Sequence, residues 1–421
     1  MNVLVLGSGG REDAIVKALK KSPLKPNLFA LPGNGGIEKD AVLLEGSVTD
    51  IDDIVQAALR VKADYVVVTP DDPLALGAVD ALKAKGIACF GPTQKAARIE
   101  SSKAFSKNLM KKYHIPTAEY EIFTEPGKAI DYLTTATFPI VIKADGLALG
   151  KGVIIAQNKD EAIISVKEMM IDGKFGKSGN TIVIEEFLTG PEVSVLSFCD
   201  GNTLVPMISS MDHKRALDGD LGLNTGGMGC IAPNPYYTKE IAKLCETTIF
   251  EPTVKAMQAE GCPFSGCLYF GLMLTPTGPK VIEYNSRFGD PETQAILPLL
   301  DSDLLSIMLS VTKGTLKAEE VKFSSLSSCC IALTSLGYPE KYKKGFVITI
   351  KESDKAEVYI AGAKRENGKL ITSGGRVINV VAIDTTLNKA CKKAYEALAE
   401  QIVTFDGMSY RTDIGKKAME A

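Results

Sequence analysis

The first hundred residues alternate short β-branched runs with amphipathic helical stretches, and this rhythm constrains the fold more than any other feature of the chain. Residues 3–6, 28–31, 65–69 and 87–90 read as strands, and 12–21, 51–60 and 74–85 as helices. Strands separated by helices predict a parallel, doubly wound α/β sheet. Turn residues follow three of the strands: Gly7-Ser8-Gly9-Gly10, Pro32-Gly33-Asn34-Gly35-Gly36 and Pro70-Asp71-Asp72-Pro73. Ligands in such folds bind beyond the carboxyl ends of the strands, so these loops are expected to face one crevice.

Gly91-Pro92-Thr93 ends the pattern and opens a helical stretch at 94–113. Residues 117–188 read as a small α+β unit with strands at 139–143, 153–156 and 181–186. Further strands lead from 192 into a long helical segment at 237–260. A last α+β unit has strands at 328–333, 346–350 and 376–381 and a helix at 387–402. The expected units are 1–102, 103–325 (with a smaller subdomain at about 120–190) and 326–421.

The net charge of −3 offers no broad basic surface for nucleic acid. No apolar run approaches the ~20 residues of a membrane helix, and the opening Asn2-Val-Leu-Val-Leu6 is too short and uncharged in front for a signal peptide. The nine cysteines form no matched close-spaced pairs. That argues against structural zinc and for reduced thiols in the cytoplasm. Two histidines, His114 and His213, exclude a histidine-rich metal site.

Chemistry concentrates in Glu283-Tyr-Asn285-Ser-Arg287-Phe-Gly-Asp290-Pro-Glu292-Thr-Gln, which follows an apolar run at 268–274 and the turn Thr275-Pro-Thr-Gly-Pro279. This order predicts a β-hairpin whose second strand places Glu283, Asn285 and Arg287 on one face. Glu283 and Asn285 offer hard oxygens for magnesium, and Arg287 a fork for phosphate or carboxylate oxygens. The competing reading is a solvated strand with a salt bridge.

Other segments carry weaker signals. Gly7-Ser-Gly-Gly-Arg11-Glu12 closes a strand and opens a helix, which suits a phosphate monoester, a dinucleotide or a structural turn. Lys143-Ala-Asp-Gly-Leu-Ala-Leu-Gly150-Lys151-Gly152 reads as a flap over phosphates or as a hairpin with surface lysines; it is not a Walker loop. Glu185-Glu186-Phe187-Leu188 could offer backbone groups to an adenine edge, and Glu192 could hold ribose hydroxyls, or the segment is an ordinary strand end. Asp212-His213-Lys214-Arg215 and Asn224-Thr-Gly-Gly-Met-Gly229 place a polar cluster and a glycine loop in one connection. His213 is open to a base, a binding or a structural role. Ser373-Gly-Gly-Arg376 is an anion-binding or a solvated turn.

Together these segments resemble the ATP-grasp ligases and, more narrowly, the phosphoribosylamine–glycine ligase family. The resemblance covers essentially the whole chain. It rests on these motifs in order, with Ser102-Lys103-Ala-Phe-Ser-Lys107 and Ile115-Pro-Thr-Ala between them. It implies an N-terminal doubly wound parallel α/β domain that binds substrate, an ATP-grasp module of two subdomains, and a small C-terminal α+β domain. It also implies ATP, magnesium or manganese, and the substrates glycine and 5-phosphoribosylamine, joined through glycyl phosphate in purine synthesis. A cytoplasmic monomer or weak dimer is expected, with no nucleic-acid or membrane partner.

Carried over by position, Lys103, Lys143, Gly150, Lys151 and Gly152 would meet the nucleotide phosphates. Glu185, Glu186, Phe187, Leu188 and Glu192 would hold the nucleoside, and Glu283 and Asn285 the metal. Asp212, Arg287 and Asp290 would orient glycine and the acyl phosphate. Gly9, Gly10, Arg11, Asn34 and Asp71 would receive the phosphoribosyl group, with His213, Lys214, Asn224 and Arg376 as further substrate contacts. The chain departs from the family pattern at Asp13, where histidine is usual. An acid there suits a phosphate pocket only if it faces away or pairs with Arg11. Asp71 shortens an acidic reach, Leu149 stands where a small residue is common, and Ser286 replaces a frequent cysteine. Gly271-Leu-Met-Leu274 lacks a third acidic metal ligand. The rival readings are another ATP-grasp carboxylate–amine ligase, a nicotinamide oxidoreductase built on residues 7–12, and a non-catalytic nucleotide-binding regulator.

Overall fold

The computed structural model describes residues 1–147 and 152–419. Gly150 and Lys151, expected on the flap, lie outside them. The N-terminal sheet has five parallel strands in the order Val42–Leu43, Asn27–Pro32, Asn2–Gly7, Tyr65–Val68, Ala88–Phe90. Its central strands are apolar on both faces because helices cover both. Val3 and Val5 pack with Ile15 and Leu19 of the Gly10–Lys20 helix, and Leu4 and Leu6 with Ile54 and Ala58 of the Ile51–Arg60 helix. Strand order reverses at Asn2–Gly7, so the three turn-rich loops gather at one end.

Two helices expected as continuous are broken. The 74–85 stretch divides at Gly77, which takes φ 90°. The 94–113 stretch divides at Ser102, which is extended and accepts the Phe105 N–H at 3.1 Å to cap the Lys103–Lys112 helix. The long 237–260 helix keeps its course but carries a π turn at Glu246–Phe250. The strand expected at 346–350 shortens to Thr349–Ile350.

Two antiparallel sheets follow. One orders Tyr120–Phe123, Ile182–Glu186, Ile140–Ala144 and Val153–Ala156; the other orders Leu204–Pro206, Glu192–Asp200, Ser265–Thr275 and Gly278–Asn285. The C-terminal sheet runs Met211–Asp212, Gly229–Ala232, Ser327–Ser335, Arg376–Asp384, Glu357–Ile360. The connection bearing the Asp212 and Asn224 motifs therefore grows from the C-terminal sheet, although its residues fall within 103–325. Among the described residues no helix is long and apolar enough to cross a membrane.

Candidate active site

The Ser265–Thr275 and Gly278–Asn285 strands form the expected hairpin, with one irregularity. Gly271 pairs with Glu283 but Leu272 with Val281, so Ile282 is an extra residue, a bulge. Bulges re-aim side chains, and here Ile282, Glu283 and Asn285 all line a cavity of about 710 Å³. Lys103, Lys107 and Lys143 line it too, and so does Arg287, although it lies beyond the strand's end at Asn285 and not on the strand face where it was expected.

The lysines are held in place by acids and carbonyls. Glu185 is buried with one oxygen 2.9 Å from Lys107 Nζ and the other 3.0 Å from Lys143 Nζ. Lys107 donates to Thr117 Oγ1 at 2.8 Å, Lys143 to Ile282 O at 3.0 Å and Lys103 to Gly146 O at 3.0 Å. Burial pushes Lys107 down to about 8, with Glu185 opposing. Burial also lowers Lys103, against the pull of Glu283. Lys107 was not among the expected site residues. Its signal was a lysine one turn from Lys103 in the Ser102-Lys103-Ala-Phe-Ser-Lys107 motif. Glu186, Phe187, Leu188, Glu192 and Gly152 line the same cavity.

Arg287 lies 3.2 Å from Glu100, a buried acid on the Gln94–Ser101 helix that also accepts from Ser286 N at 2.8 Å and Ser286 Oγ at 2.7 Å. Burial raises the Glu100 carboxyl, and Arg287 opposes it. Sequence reasoning missed Glu100, because one acid on an amphipathic helix reads as solvated. Asp71, expected at the phosphoribosyl group, lines this first cavity.

Burial acts to raise the Glu283 carboxyl, but Lys214, Lys143, Lys103 and Arg287 together hold it below the usual carboxylate range. A carboxylate kept ionised next to an amide oxygen is a donor set that fits magnesium. Among the described residues no cluster of three acidic, histidine or cysteine side chains supplies a fuller cage. A magnesium ion here would take two protein oxygens and would need further ligands from elsewhere.

The 212–229 connection forms another wall. Burial and then Glu292 push the Asp212 carboxyl well above its ordinary value. Lys214 bridges Glu192 at 3.3 Å and Glu283 at 3.8 Å. Asn224 is exposed at the cavity rim. His213 lines the cavity, but its ring is engaged by main chain: Nε2 accepts from Gly415 N at 3.1 Å, and Nδ1 lies 3.3 Å from Gly229 O. Glu292, not anticipated as a site residue, is buried in this wall and accepts from Tyr269 OH at 3.0 Å.

A second cavity of about 460 Å³ lies between the N- and C-terminal units, lined by Gly9, Asn34, Tyr338, Lys364, Arg376 and Asp290. Asp290 belongs to both cavities. Its main-chain oxygen accepts from Arg376 Nη1 at 2.7 Å, and Arg376 also donates to Gly226 O at 2.6 Å. The Asp290 carboxyl is opposed by burial, yet Arg376 and Arg11 hold it below its ordinary value.

The structure does not gather every expected phosphoribosyl contact. Among the described residues lining the two cavities, Gly10 and Arg11 are absent. Arg11 donates to Glu12 Oε1 at 2.6 Å and Phe288 O at 2.9 Å. The helix start itself is capped by Glu12, which accepts from Gly9 N at 2.6 Å, and by Asp290, which accepts from Arg11 N at 3.2 Å. Asn34 spends its amide on main chain, donating to Ser8 O and Ile360 O and accepting from Gly36 N and Ile37 N. Asp13 faces away from the second cavity and pairs with Lys17 at 3.0 Å, not with Arg11.

A nucleotide-sized cavity walled by Lys143 from one sheet, Lys103 and Lys107 from the Lys103–Lys112 helix, and a Glu-x-Asn strand from another sheet defines an ATP-grasp enzyme. Comparison with known proteins agrees. The biotin carboxylase domain of Hydrogenobacter thermophilus 2-oxoglutarate carboxylase superposes with a TM-score of 0.76 at 16% identity, covering 100% of this chain and 98% of that one, a likeness of fold alone. Family models for phosphoribosylglycinamide synthetase match throughout: the N domain at residues 1–100, the ATP-grasp (A) domain at 101–293 and the C domain at 328–417. The phosphoribosylamine–glycine ligase of Caulobacter vibrioides is 46% identical over 425 residues, covering 100% of this chain and 99% of its own. The crystal structure of the Thermotoga maritima phosphoribosylamine–glycine ligase has a TM-score of 0.86 at 35% identity, covering 98% of this chain and 100% of that chain. This chain belongs to the phosphoribosylglycinamide synthetase family.

Proposed function

We propose that the protein ligates glycine to 5-phosphoribosylamine at the expense of ATP, giving glycinamide ribonucleotide, ADP and phosphate, a step of purine synthesis. The observation that carries this reading is the place of Asp290 in the walls of both cavities. An acid activated in the first cavity is then next to an amine held in the second.

A glycine carboxylate oxygen attacks the γ-phosphorus of ATP, the bond to ADP breaks, and glycyl phosphate forms. The amine nitrogen of phosphoribosylamine attacks the acyl carbon, phosphate leaves, and the nitrogen loses a proton. Phosphoryl transfer depends on positioning and charge neutralisation more than on protein acids or bases. Lys103, Lys107 and Lys143 meet the ATP phosphates, with Glu185 fixing the last two. Residues 185–188 and Glu192 take the nucleoside. Glu283 and Asn285 would hold magnesium, which when bound neutralises charge on phosphate oxygens. Arg287, positioned by Glu100, faces the carboxylate and its acyl phosphate, with Asp212 and Lys214 beside it. Gly9, Asn34, Asp290 and Arg376 shape the acceptor cavity. All nine cysteines are buried and free, which suits a reducing cytoplasm.

The test is ADP release with glycine, magnesium and ATP, with and without freshly made phosphoribosylamine. Turnover that needs both substrates supports the reading. Turnover with a different amine or acid, and none with these, assigns another ATP-grasp ligase reaction.

A further inference from the structure

The C-terminal sheet ends in the edge strand Glu357–Ile360. An edge strand leaves a row of main-chain donors and acceptors that proteins cover or blunt. Here the covering groups are side chains of the N-terminal unit. Lys17 Nζ donates to Val358 O, Asp13 Oδ2 accepts from Ile360 N at 2.8 Å, and Asn34 Nδ2 donates to Ile360 O at 2.8 Å. Both polar main-chain groups of Ile360 are thereby held from across the domain boundary. Lys17 also lies 4.5 Å above the Tyr359 ring.

The approach is close. Gly35 N donates to Ala363 O at 3.0 Å, and a Cβ on Gly36 would stand 2.5 Å from the Ile360 Cβ. Directly after Ile360, residues 361–364 become part of the wall of the second cavity, together with Gly9 and Asn34. Asp13 is fully buried and does not line that cavity, so its effect on a ligand passes through Ile360.

We propose that Asp13 is a positioning residue for the acceptor substrate: by fixing Ile360 it sets the 361–364 wall against which 5-phosphoribosylamine binds. This rests on the reading that the second cavity takes phosphoribosylamine. Asp13→Ala removes both the Ile360 bond and the Lys17 pair. Asp13→Asn keeps one oxygen to accept from Ile360 N, loses the charge that pairs with Lys17, and turns the other oxygen into an N–H donor.

The experiment compares wild type, Asp13→Ala and Asp13→Asn in the full-length protein with two acceptors. One is freshly made phosphoribosylamine. The other is hydroxylamine, which captures glycyl phosphate as the hydroxamate and needs no sugar-phosphate pocket. Asp13→Ala is expected to raise the KM for phosphoribosylamine about tenfold, leaving hydroxamate formation and the KM values for ATP and glycine within about twofold. Asp13→Asn should raise the same KM by about threefold, and it decides the matter if Asp13→Ala is insoluble. An unchanged KM for phosphoribosylamine, or equal losses with both acceptors, overturns the proposal. A wild-type protein inactive with both acceptors overturns the assigned reaction instead.

Discussion

Glu283 stands opposite Gly271 across the hairpin, and a Cβ on Gly271 would lie 3.1 Å from the Glu283 Cγ. The strand that lacks a third acidic ligand thus contributes space: any side chain at 271 presses on the carboxylate that faces the lysines. Gly271→Ala should lower kcat/KM for ATP about tenfold and raise the magnesium needed for half-maximal rate, because small displacements of a charge-neutralising group are costly. Steady-state ADP release across a magnesium titration checks this. Wild-type values would show that Glu283 tolerates the crowding.

Lys107 gives the site an alkaline limit. Burial pulls its pKa down to about 8, and Glu185 is the largest influence in the other direction. The free enzyme then loses this positive charge as pH rises through about 8, so kcat/KM for ATP should fall there. At saturating ATP, bound phosphates favour the charged lysine and kcat should hold to higher pH. Glu185→Gln removes the charge that raises Lys107, so the limb should move to lower pH. A profile unmoved by that substitution would sever the link between the two residues.

Much of this architecture was legible because local pattern and tertiary environment agree. Val3, Val5, Leu4 and Leu6 read as a strand buried on both faces, and they are. The breaks at Gly77 and Ser102 were hidden because apolar periodicity runs across them. The pairing of Gly229–Ala232 with Ser327–Ser335 joins residues about a hundred positions apart, and neither segment encodes its partner locally. Glu283 and Asn285 were legible as one wall from strand alternation, whereas Arg287 reaches the same cavity from beyond the strand's end, and the bulge at Ile282 was not legible. Glu100 was not, because its role depends on meeting Ser286 and Arg287 from a distant helix. Asp13 was recognised as unusual, but its partners, Lys17 and Ile360, come from helix spacing and domain docking.

Glu100 offers a separable test of positioning. It accepts two hydrogen bonds from Ser286 and lies 3.2 Å from Arg287. Glu100→Ala leaves buried donors and a guanidinium without their acid, at a cost of about 3 kcal/mol in stability. Glu100→Gln retains an acceptor and should fold. It should nevertheless lower kcat about tenfold, as Arg287 is no longer held by charge. Thermal melting and ADP release measured side by side distinguish the two variants. A fully active Glu100→Gln enzyme would remove Glu100 from the positioning of Arg287.

His213 supports stability and is expected to be silent in the rate profile. Its buried ring accepts from Gly415 N through Nε2, which only the neutral form can do. Burial, and then the positive Arg411, lower its pKa from 6.5 to about 4. As pH falls through 6.5 the unfolded chain takes up a proton that the folded one refuses until about 4. The stabilising contribution is therefore complete above 6.5, declines between 6.5 and about 4, and is gone below that. At ~1.4 kcal/mol per unit the whole window is worth about 3.5 kcal/mol. His213→Gln cannot titrate there, so its melting temperature should fall less than that of wild type between about pH 7.5 and pH 5. The rate profile of wild type should carry no limb near 6.5 from this ring. A limb at that pH which vanishes in His213→Gln would instead make His213 a proton carrier in the reaction.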